Sequence, residues 1–406
     1  MKFKNWMIVA LTTFALTLPL SAQSPDAASS QMRPWPMKLR SWTKPPQLTP
    51  EQIQSMAKKQ KTLPLWFYGL TSPRDGNPYT GVIVGNDPYK PSSGKANVPT
   101  QIVPLVITTH RIATSVNPDG SFNSVPGDHT FDPTVADPGC FAPPNDVPLT
   151  LVQQSPLFQP ANFTLGGTDV GTTQYVDAFQ RANFWNVIKR NKYHVLLKPV
   201  TTLQPIALDI PVDSGMAIPP ELFGLCGWAG SIDINFLDPF LDQYILPALY
   251  FQGVNSSTFP IFPMYNVSMA DGQPNVYHGI AGYHGYNNLQ TYVVAWFHNL
   301  HFFGPSQDDT STLSYDVGGW MNDPYDYNYA PAWGHTGHVS GCGNYYEVGN
   351  PLTTALPVVT MPNGFSYHLQ EMAFFDWFFG SPSIGVNGWY SDNGTFDTDA
   401  GPVCQP

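Results

Sequence analysis

The stretch Asp308-Asp-Thr-Ser-Thr-Leu-Ser-Tyr-Asp-Val-Gly-Gly-Trp-Met-Asn-Asp-Pro324 decides how the chain is read. Leu313, Val317, Trp320 and Met321 recur at helical spacing, and Asp308, Asp309 and Thr310 offer capping oxygens ahead of them. An amphipathic helix ending at Pro324 is the expectation. Its other side is unusual, because Tyr315, Asp316 and Gly319 fall there and Gly318 and Gly319 sit together mid-helix. Each interior glycine costs about 1 kcal/mol relative to alanine, so helix stability alone does not account for the pair.

The composition supplies the setting. Residues 1–22 carry Lys2 and Lys4, then an apolar run, then Ser21-Ala22, the pattern of a secretory signal peptide cleaved after Ala22. The mature chain is expected to be exported to the periplasm or medium, free of membrane and monomeric. Hydrophobic residues make up 42% of the chain, enough for a core, while 42 prolines and 34 glycines favour short strands and long ordered loops over helical bundles. A net charge of −11 without a Lys/Arg patch argues against nucleic acid. Four cysteines in an exported chain point to two disulfides, with three pairings open. Cys140 with Cys226 and Cys342 with Cys404 is the pairing favoured here, since the second would pin the C-terminal tail to the loop after the motif helix.

Residues 23–60 read as a Ser/Pro/Ala-rich linker and a short helix capped by Thr49. Residues 61–210 read as a β-rich part, with one clear helix over 172–190 and strands on either side. A second helix over 238–251, interrupted by Pro247, precedes β-type runs at 258–269, 276–283 and 291–297. Aromatic spacing predicts a last helix over 366–379, with His368 and Glu371 as an ordinary pair on it.

Against this background the motif stretch resembles the metal-binding helix of a family of secreted bacterial zincin-like metallopeptidases. There, Ser-His-Glu-Val-Gly-Glu-Trp-Met-Asp-Asp-Pro is followed by Pro-x-Trp-Gly-His and by Cys-x-Asn-x-x-Glu-Val-Gly-Asp-Pro-Leu. This chain matches at Ser314, Val317, Gly318, Trp320, Met321, Asp323 and Pro324, and again at Pro331, Trp333, Gly334, His335, Cys342, Asn344, Glu347, Val348, Gly349, Pro351 and Leu352. The resemblance implies an α+β chain whose residues 211–406 form a zincin-like part, with substrate lying along a sheet edge.

The chemistry departs from the pattern. Two zinc ligands at i and i+4 share one helix face, and the residue after the first can polarise a metal-bound water. Here the ligand positions hold Tyr315 and Gly319, and the base position holds Asp316. Tyrosine ionises near pH 10 and glycine has nothing to ligate with. The resemblance therefore implies a peptidase scaffold without its zinc, binding a peptide or exported protein in the old cleft, which His284, Trp320 and Asp323 would line. No cofactor is expected, unless a residual zinc site persists.

Two alternatives stand beside it. One is an active metallohydrolase with a rearranged site drawn from Asp316, Glu347, His335 and His338, the last two at His-x-x-His spacing in a Gly-rich loop. The other is a carbohydrate-binding or carbohydrate-active protein, which the 14% aromatic content would suit. Asp323-Pro-Tyr-Asp326-Tyr-Asn328 and the loop 392–399 offer short-spaced oxygens for calcium, without the full calcium-loop signature. A Gly-x-Ser-x-Gly elbow and phosphate-binding glycine loops are absent.

Overall fold

The seven-residue strand Phe259–Tyr265 is buried at every position, as a strand covered on both faces must be. It lies in the middle of a five-stranded sheet ordered Gly282–Asn287, Gln290–Phe297, Phe259–Tyr265, Lys95–Ile102, His194–Thr202. Four of these strands run parallel, and Gly282–Asn287 alone is antiparallel to its neighbour. That antiparallel strand forms one edge of the sheet, and among the described residues it pairs only with Gln290–Phe297. A second, seven-stranded sheet is built around the long strand Leu105–Val116.

This computed structural model describes residues 47–90, 94–137, 147–189, 192–275, 279–301, 308–352, 357–399 and 404. The signal peptide expected over 1–22 and most of the linker expected after it lie outside these residues, as does Cys140. The fold is mixed α+β, with strands outweighing helices. The five-stranded sheet takes strands from both sides of residue 210, and Pro36–Pro406 groups as one compact unit, so the parts 61–210 and 211–406 share a sheet. None of the helices described is long and apolar enough to cross a membrane.

The motif helix spans Ser311–Asn322. Leu313, Val317, Trp320 and Met321 are all fully buried in the main core, as their spacing predicts. The Trp320 indole stacks on Phe259 of the central strand at 3.3 Å between centroids, and its N–H donates to the Thr291 hydroxyl at 2.9 Å. Gly318 is accounted for by packing: a Cβ there would run into the thioether of Met372. Asn322 closes the helix, its side-chain Oδ1 accepting from Gln180 at 3.0 Å and from the Tyr346 hydroxyl at 3.1 Å.

The acids ahead of the helix do a different job from the one expected. Thr310 is the N-cap, without a side-chain capping bond, while Asp308 faces the rings of His298 and His301 and Asp309 holds that of His368 at 2.7 Å. Asp309 also accepts the His368 backbone N–H at 2.9 Å. This contact helps to undo the helix expected over 366–379. Ser366–His368 is instead a strand paired with Val358–Thr360, and helix is confined to Phe375–Phe379. Glu371 is no partner of His368 but accepts from Ser391, Asn393 and Thr395.

Elsewhere the pattern reads more faithfully. Thr49 and Gln52 form a reciprocal capping box on Pro50–Ala57. The helix expected over 172–190 is two pieces, Tyr175–Asn183 and Trp185–Ile188, broken at Phe184. The helix around Pro247 starts earlier than expected, at Ile234 under the Asp233 cap, and is wound as a π-turn over Leu241–Ile245 just before that proline. A disulfide joins Cys342 to Cys404, as expected, and Cys226 is also disulfide-bonded.

Candidate functional site

The polar side of the motif helix faces two things: the edge strand Gly282–Asn287 and the loop 346–352 that follows the hairpin Tyr329–Thr336/Val339–Tyr345. Successive side chains on a strand alternate faces, so Gly282 and His284 share one. Asp316 Oδ2 stands directly over Gly282, where a Cβ would collide with it. One turn along the helix, a Cβ on Gly319 would lie 3.3 Å from Glu347 Oε2 and 3.6 Å from the His284 ring. The missing side chain at Gly319 therefore leaves space between a histidine and a carboxylate. His284 Nε2 and Glu347 Oε1 are 3.7 Å apart, and the two side chains are only 8% and 14% exposed.

Asp326, in the turn beyond the helix, completes the group. Ligand-capable atoms of His284, Asp326 and Glu347 all lie within 4.8 Å of one another. Asp326 is exposed and has a left-handed backbone with φ of 51°. Sequence reading singled it out only as a candidate calcium oxygen. Asp323, its neighbour in that stretch, is buried and turned inward, accepting the backbone N–H groups of Tyr327 at 2.9 Å and Asn328 at 3.0 Å.

Burial dominates the electrostatics. It pushes the carboxyls of Asp316 and Glu347 well above the usual carboxylate range, and Asp323, Asp326 and Asp316 push Glu347 further in the same direction. Asp323 is raised by burial to about 8, against the pull of its two backbone donors. Asp316 Oδ2 makes no hydrogen bond. A buried carboxyl with an unmatched oxygen favours its neutral form, which is the wrong state for a general base.

Tyr315 occupies the other expected ligand position and is held elsewhere. Its hydroxyl donates to Asn350 Oδ1 at 2.5 Å, its ring presses on Gly349, and His338 packs edge-on against it at 5.9 Å between centroids. Burial, with Glu347 and Asp316 nearby, raises its pKa well above 10. A phenol so placed does not supply a phenolate ligand at neutral pH.

The remaining sequence candidates separate. His335 and His338 lie at the tip of a hairpin rather than in an irregular loop, and neither joins the cluster around Glu347. The His335 ring is 3.6 Å from the sulfur of Cys342, whose disulfide with Cys404 removes both thiolates as ligands. Trp320 and Asp323, expected to line a cleft, belong to the interior. Trp320, Trp333 and Trp377 are buried too, so they are not sugar-stacking platforms. Asp392, in the other candidate calcium loop, is turned inward, accepting from the Met372 N–H and the Tyr175 hydroxyl, both distant in sequence. Comparison of the chain with protein-family models, with curated proteins and with solved structures returned no match.

Proposed function

We propose that the chain is an exported, metallopeptidase-like protein that binds peptide or protein segments without cleaving them. The observation that carries this reading is the edge strand Gly282–Asn287. It is antiparallel, it terminates the central sheet, and the polar side of the motif helix runs alongside it. An edge strand offers a row of backbone donors and acceptors to a second extended chain, and a neighbouring pocket can then select side chains. His284 lies on that strand and faces Glu347.

Cleavage is not expected, because the motif helix contributes no ligand. Tyr315 is engaged with Asn350, Gly319 has no side chain, and Asp316 is directed at Gly282 with its carboxyl pushed toward the neutral form. The exported location follows from the signal peptide expected over residues 1–22.

The test is fluorescence anisotropy of labelled casein-derived peptides with the purified protein, followed by mass spectrometry of the same mixtures with zinc and with chelator. Saturable binding with intact peptides is expected. Chelator-sensitive cleavage, or no peptide binding at all, would overturn the reading.

A further inference from the structure

We propose that His284, Asp326 and Glu347 form a binding site for a divalent cation of the zinc class, assembled from the edge strand, the turn after the motif helix and the loop beyond the hairpin. The three side chains come from separate elements, and two of them, His284 and Glu347, border the space left by Gly319. Two ligands on a tetrahedral zinc at about 2.1 Å stand roughly 3.4 Å apart. The 3.7 Å between His284 Nε2 and Glu347 Oε1 is close to that span, and the full group within 4.8 Å closes by small side-chain rotations.

A second observation points to the same place. Asp316, only 1% exposed, directs an oxygen without a hydrogen-bond partner onto Gly282, one pleat from His284 on the same side of the edge strand. A buried polar atom left unmatched is a departure from ordinary protein interiors, and a bound ion is one way to satisfy it. Asp316, Asp323 and Asp326 also stand near enough to repel an ionised Glu347. Such a concentration of carboxyls is costly when ionised and is offset by a bound cation.

The donor set chooses the class of ion. One imidazole and two carboxylates suit Zn²⁺ or Mn²⁺, whereas Ca²⁺ and Mg²⁺ favour shells made of oxygen alone. The absence of a side chain at Gly319 leaves room beside the ligands. A Cβ there would stand 3.3 Å from Glu347 and 3.6 Å from His284. The site makes no claim about cleavage and does not depend on peptide binding.

The experiment is calorimetric titration of ZnCl₂ into the full-length mature protein after dialysis against chelator, with thermal melting as a second readout. One saturable equivalent and a raised melting temperature are expected. Asp326→Asn, at an exposed position that should leave folding intact, should weaken zinc by at least about tenfold. Gly319→Ala should also weaken it, and His335→Ala should leave it unchanged. Absence of a saturable equivalent, wild-type affinity in Asp326→Asn, or loss of zinc in His335→Ala would overturn the proposal.

Discussion

Tyr315 and Gly319 show how much two positions carry. With histidine and glutamate there, the helix would present a metal; with tyrosine and glycine it presents a ring against Gly349 and a gap against Glu347. The Tyr315 hydroxyl bond to Asn350 is a packing contact, so Tyr315→Phe should cost about 1 kcal/mol of stability and leave peptide binding unchanged, measured by denaturant unfolding and anisotropy. Asp323 makes a different prediction. Its folded pKa of about 8 lies above the usual value of about 4, so its contribution to stability is complete below pH about 4 and is lost as pH rises towards 8. The melting temperature of the protein should fall over that window. Asp323→Asn, which keeps an acceptor for the Tyr327 and Asn328 amides, should flatten the fall. That Tyr315 and Gly319 lie one turn apart on the motif helix was legible in the sequence from their spacing. That Asp326 and His284 approach Glu347 was not, because 21 and 63 residues respectively separate them from that glutamate and only the tertiary fold brings them together.

At the scale of elements, the motif helix was the most legible part of the chain. Its apolar positions recur every three to four residues, and all four named ones are in the core. The paired glycines divide their work: Gly318 admits Met372, and Gly319 faces the site. Gly318→Ala should therefore destabilise by about 1–3 kcal/mol through overpacking, against the roughly 1 kcal/mol gain that alanine gives on an open helix surface. A stabilised variant in thermal melting would contradict this account of the pair. The last expected helix failed for a reason visible in the contacts. Tyr367, Leu369 and Met372 are apolar at near-helical spacing, yet the same residues suit a strand and its turn, and Asp309 claims the His368 amide. Spacing over a short aromatic run does not separate the two outcomes.

Across the whole molecule, the central sheet draws strands from residues 95 to 297, so its order is invisible to local pattern. The sequence-level division at residue 210 followed composition and a motif, whereas the sheet follows pairing across that line. The disulfide of Cys342 and Cys404 closes 62 residues that include Glu347 and the aromatic segment of Phe375–Phe379. Reducing it should cost about 4 kcal/mol in the loop-entropy picture and lower the melting temperature, with the C-terminal segment becoming the first site of limited proteolysis. What ties the scales together is the edge strand, where the sheet ends, the motif helix turns its polar side and His284 meets Glu347. Amide hydrogen exchange of Gly282–Asn287, with and without a bound casein-derived peptide, tests this most directly. Slowed exchange centred on that strand is the predicted result, and protection elsewhere with that strand unchanged would contradict the account.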